Sequence, residues 1–242
     1  MRYFVPDIRL PEERSASIER LGGIPFGLAT ADWPLCAECG KSQSLLTQFA
    51  HHPDRLDLGR DGRILFVFQC NHDPGMCDTW SATSGANACL VVEPEHLTGI
   101  QTPLPADTPP LDNAVVIAGW VAREDSVTDA EAMAFYSDEK FLELGDHVWR
   151  KVSTGTKLGS VPSWVQSPDE APKGWRFIGQ LDSGYSFLSM PDATCPWVKP
   201  DPEAWEGRAA YADGPNFGGG IAYLFLTEGD PKPEVRMFWQ CG

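Results

Sequence analysis

Positive charge is scarce in this sequence and long apolar runs are missing, and each shortage removes a class of function. Only 19 Lys and Arg stand against 34 Asp and Glu in 242 residues, a formal net charge of −15. A surface with that balance repels a phosphate backbone, which argues against non-specific nucleic-acid binding, while its field favours a basic protein partner. Solubility alone would account for the same charge. No apolar stretch approaches the roughly 20 residues that a membrane-spanning helix needs. The opening residues 1–7 also lack the apolar core of a secretory signal. The expectation is a cytoplasmic, reducing location, where paired cysteines bind metal more readily than they form disulfides.

Catalytic motifs are missing too. There is no Gly-x-Ser-x-Gly and no His-Glu-x-x-His. The zinc-deaminase pattern of His-x-Glu followed by Pro-Cys-x-x-Cys fails, because no histidine precedes Cys36 and Pro34 lies one residue too early. Cys89 opens an apolar run and reads as a core thiol. His51 and His52 lack a third ligand at helical spacing and read as a solvated loop pair. The glycine-rich stretch 214–220 precedes a strand, whereas phosphate-cradling loops follow one, so it reads as a turn.

What the sequence does contain is a cysteine cluster. Four of its seven cysteines fall between Cys36 and Cys77. Cys36-x-x-Cys39 has the spacing of a tetrahedral metal site, and Gly40 eases the chain out of that turn. Cys70 and Cys77 form a wider pair, with the Asp73-Pro74-Gly75 turn folding one back towards the other. His72 is a competing fourth ligand. The expected site is therefore structural Zn²⁺ on Cys36, Cys39, Cys70 and Cys77, with His72 as the alternative to one thiolate.

The 21 prolines and 23 glycines suit many short strands joined by turns. Strands are expected at 44–50, 64–70, 88–92, 113–120, 175–182, 221–226 and 235–241, with a hairpin turn at 228–231. Antiparallel pairing of the first two would set Cys39 and Cys70 at one sheet edge. A short helix is expected over 11–20. Another is expected over 128–144, capped by Thr128 and with a break at 136–138. Most of the nine tryptophans should be core, with Trp197 and Trp205 as candidates for an exposed binding surface. Leu21-Gly22-Gly23-Ile24-Pro25 resembles Leu158-Gly159-Ser160-Val161-Pro162. Gln48 and Gln180 recur in the following strands, and Phe68-Gln69-Cys70 resembles Trp239-Gln240-Cys241. The fold class expected is mainly β with a few short helices. Two related halves, 1–125 with the metal site and 126–242, pack as one unit.

These motifs, in this order, resemble the bacterial YwqG-like family over most of residues 20–242. The resemblance implies a mainly β, roll-like fold with no established activity. It also implies a toxin-immunity role, since some members are encoded beside secreted toxins. The first half also resembles the zinc-bearing domain of the programmed cell death 2 proteins, chaperones of a ribosomal protein. That likeness implies a metal role for Cys36, Cys39, Cys70 and Cys77. The wide spacing of Cys70 and Cys77 departs from it, as does the lack of a zinc pair near the C-terminus. The combined expectation is a non-enzymatic, zinc-binding, protein-interaction role. Its alternative is a hydrolase-type enzyme with a cleft between the halves.

Overall fold

The computed structural model describes residues 1–11, 18–73, 75–111, 113–168, 174–192, 195–229 and 231–242. Thirteen strands are found among them: β1 (Arg2–Arg9), β2 (Arg20–Leu21), β3 (Ser44–Ala50), β4 (Ile64–Gln69), β5 (Asn87–Val92), β6 (Val115–Glu124), β7 (Lys157–Gly159), β8 (Trp175–Asp182), β9 (Gly184–Phe187), β10 (Lys199–Pro200), β11 (Ala210–Asp213), β12 (Ile221–Thr227) and β13 (Val235–Gln240). The fold is mainly β, with three short α-helices: α1 (Asp129–Ala132), α2 (Asp138–Glu143) and α3 (Asp146–Trp149).

Ten strands form one antiparallel sheet in the order β13-β12-β8-β7-β1-β6-β2-β3-β4-β5. The sheet curls into a nearly closed barrel, bringing the end strands β5 and β13 alongside each other. Near that seam the Trp239 amide donates to the Trp80 carbonyl at 3.2 Å. The sheet runs unbroken across residue 125, because β1 pairs with β6 on one side and with β7 on the other.

Apolar runs without polar alternation make the strands that are buried on both faces. Along β4, Leu65 and Val67 face the barrel interior, while Ile64, Phe66 and Phe68 join an outer cluster with Leu28 and Trp33. Along β12, Ala222, Leu224 and Leu226 point inward, and Tyr223 and Phe225 point outward. A second sheet, β10-β11-β9, contributes Tyr185, Phe187, Ala210 and Ala212 to the interior.

The recurring motifs occupy corresponding places on either side of the β1–β6 pair. Gly22 follows β2 and Gly159 ends β7, with φ of +68° and +88°. A Cβ on Gly22 would lie 2.6 Å from the Asn113 carbonyl oxygen, and one on Gly159 would lie 3.0 Å from that of Arg2. Glycine is thus required at both positions by dihedral and by close approach. Gln48 Oε1 accepts from the Phe26 amide at 2.9 Å, and Gln180 Oε1 accepts from the Ser163 amide at 2.9 Å. Each donor directly follows the motif's proline. The third match does not correspond in this way: Phe68 and Gln69 lie on β4, whereas Trp239 and Gln240 lie on the end strand β13.

Several expectations change in detail. The helix expected over 11–20 falls largely on residues 12–17, outside the described residues, and Arg20 belongs to β2. The turns at 73–75 and 228–231 include Pro74 and Asp230, which also lie outside them. The helix expected over 128–144 is broken into α1, a 3₁₀ turn and α2, with Thr128 forming a capping box with Glu131. His51 is not solvated. Its side chain is 8% exposed, and its Nδ1 accepts from the Leu58 amide at 3.0 Å. Trp197 is half-buried against Phe187 in the main core, while Trp205 is exposed.

Candidate metal centre

The register of β3 and β4 builds the site. Ser44 pairs with Gln69 and Leu45 with Phe68, so the chain entering β3 and the chain leaving β4 lie side by side. Gln69 in turn pairs with Asn87 at the start of β5. Cys39 therefore sits just ahead of one strand and Cys70 just beyond its neighbour.

All four sulfurs, of Cys36, Cys39, Cys70 and Cys77, lie within 4.8 Å of one another. Cys39 Sγ is 3.6 Å from Cys70 Sγ, which is 3.9 Å from Cys77 Sγ. A tetrahedral ion with metal–sulfur bonds of ~2.3 Å would separate its sulfurs by about 3.8 Å. A disulfide would need about 2.05 Å, and all seven cysteines are unpaired. The geometry fits a four-thiolate metal site.

Backbone hydrogen bonds hold the two cysteine turns in this arrangement. The Cys36 amide donates to the Lys41 carbonyl at 2.8 Å, and the Gly40 amide donates to the Cys36 carbonyl at 2.8 Å. Gly40 has φ +72°. The Cys70 amide donates to Ala86 and the Ala37 amide to Gly85, tying both turns to the segment before β5. Both carboxylate oxygens of Glu38 accept from the Asp78 amide at 3.1 Å, and this joins the Cys39 turn to the Cys77 turn. Asn87 Nδ2 donates to the carbonyls of Thr79 and Ser81.

The thiols differ in their environments. Hydrogen bonding by the Lys41 backbone lowers the pKa of exposed Cys39. Burial pushes Cys70 up to about 11, although a hydrogen bond from the His72 backbone opposes this. Burial and the neighbouring thiols raise Cys77 as well. A bound metal cation would replace the thiol protons and outweigh the rise at Cys70 and Cys77, so its binding would release protons and strengthen with pH.

His72 is placed outside the four-sulfur group. Its Nε2 lies 2.9 Å from the carbonyl oxygen of Ser42. Cys89 packs against the main core, and burial raises its pKa.

Two features were not legible in the sequence. Lys157 is fully buried, its Nζ has no hydrogen-bond partner among the described residues, and it lies 5.6 Å from the centre of the Tyr3 ring. Burial lowers its pKa to about 7, against the opposing pull of Asp125 and Glu206. Asp182 is pushed up to about 6 by burial, and it lines a cavity of about 40 Å³ with Arg123, Thr156, Glu206 and Arg208. Lys157 sits in no motif, Asp182 ends the Phe177-x-x-Gln180-Leu181-Asp182 string without a role being readable from it, and only strand pairing reveals their surroundings.

Comparison with protein-family models, with curated proteins and with solved structures finds no match to this chain. Among the described residues, no helix is long and apolar enough to cross a membrane.

Proposed function

We propose that this chain is a non-enzymatic zinc protein of the cytoplasm that works by binding another protein, and that the ion pins one end of its sheet. The convergence of four cysteine sulfurs within 4.8 Å carries this reading. Zinc is the metal proposed because an all-thiolate tetrahedral set suits it, and four protein ligands leave no open position for a reacting water. The net charge of −15 supports a basic partner, in a chaperone-like or toxin-neutralising role.

The hydrolase alternative draws on Asp182, a carboxylate with a raised pKa in a cavity lined by both halves. A volume of about 40 Å³ holds a water or two, whereas ligand sites run to roughly 300 Å³ or more. The protein-binding reading is therefore preferred.

Affinity capture from the native host at low and high salt, with partners identified by mass spectrometry, tests it. The expected result is a basic protein held at low salt and released at high salt. Recovery of no partner, or of one insensitive to salt, would contradict the reading.

A further inference from the structure

The outer aromatic face of β8, β12 and β13 is only partly covered. On the outer face of β4, by contrast, Phe66 and Phe68 are sealed by Leu28 and Trp33, with Leu97 and Leu104 packed beside them. Here Trp164 packs on Tyr223 and Phe238, with ring centroids 4.5 and 6.1 Å away, and leaves the β13 margin open. That margin is a groove of about 480 Å³ lined by Trp175, Phe225, Arg236 and Phe238, with Trp80 and Thr83 among its other lining residues. Trp80 is 55% exposed and belongs to the segment between Cys77 and β5. The volume falls in the range of small-molecule sites.

Arg236 decides what would fit. Its guanidinium lies 4.5 Å from the centre of the Trp175 ring. Arg55, Arg60, Arg63 and Arg208 are each ion-paired with a carboxylate. Arg236, among the described residues, makes no such pair, although the chain carries 34 acidic residues. Stacking on Trp175 fixes the plane of a cation whose donor fork matches a carboxylate. A cationic ligand would meet this like charge, so the groove is not an ammonium cage. Glu93 and Glu234 line a neighbouring cavity with Arg236, while charges beyond ~10 Å are screened at ordinary ionic strength.

We propose that this groove is a binding site for a small planar aromatic carboxylate, with its ring against Trp80 and Phe238 and its carboxylate on Arg236. The site is separate from the metal centre and does not rest on the protein-binding reading. Titration with naphthalene-2-carboxylate, naphthalene-2-carboxamide and naphthylmethylammonium, followed by NMR of the tryptophan indoles and arginine Nε groups, tests it. The carboxylate should bind saturably, shift Trp80, Trp175 and Arg236, and bind about tenfold or more tighter than the amide. Arg236→Gln should remove that preference while the amide still binds, and Trp80→Ala should weaken both. Retained indole shifts elsewhere would show that both variants remain folded. No saturable shift at these residues, equal binding of carboxylate and amide, or preference for the ammonium would overturn the proposal.

Discussion

Lys157 shows most clearly how a single residue sets the behaviour of the fold. A lysine ordinarily titrates near 10.5, and burial lowers this one to about 7. Below pH 7 both the folded and the unfolded chain hold the proton, and the buried charge is a constant penalty. Between pH 7 and 10.5 the unfolded chain binds more protons, so this residue makes stability rise with pH. The full span corresponds to a penalty on the order of 5 kcal/mol. Lys157→Met should therefore raise the urea midpoint most below pH 7, with the gain shrinking towards pH 10. An unchanged midpoint at pH 6, or a gain that grows with pH, would contradict this. Asp182 works in the opposite sense, its raised pKa removing stability as pH rises from about 4 to 6. Gln48 and Gln180 are uncharged and equally buried, yet both are satisfied. Gln180 Nε2 lies within reach of the carbonyls of Ser153, Thr154 and Gly155.

Among the elements, β3, β4 and β12 were legible because their apolar runs are buried on both faces, and β8 and β13 because aromatic and aliphatic residues dominate them even where the outer face is only partly covered. β1 was hidden by Arg2, Pro6, Asp7 and Arg9, which interrupt its apolar residues. Pro6 is tolerated because β7 pairs only with Tyr3 and Phe4, so β1 has one paired neighbour where the proline lies. β7 and β9 to β11 are two to four residues long, too short for a period to register. The cysteine site was legible because spacing and strand pairing give the same answer. The aromatic groove was not, because Trp80 and Arg236 meet only when β13 curls round to the segment before β5. A metal held by the four cysteines would act at the scale of the strand ends. Chelation should accelerate amide exchange in residues 36–43 and 70–87 and leave β12 largely protected. Equal acceleration in β12 would mean that the ion holds the whole barrel rather than one end of it.

At the scale of the whole molecule, one curled sheet carries three separable features. The main core crosses both halves, joining Leu21 and Phe49 to Leu158 and Met237. The four-sulfur cluster lies at one end of β3 and β4, and the aromatic groove lies beside the seam between β5 and β13. The segment from Cys77 to Asn87 links these two sites, since it leaves the metal cluster and supplies Trp80 to the groove. In the proposed reading the four thiolates together hold one zinc ion. X-ray absorption at the zinc edge on the purified protein tests this most directly. The expected result is one zinc per chain with four sulfur neighbours at about 2.3 Å. Absence of zinc, or a shell containing nitrogen from His72 or oxygen from water, would contradict it.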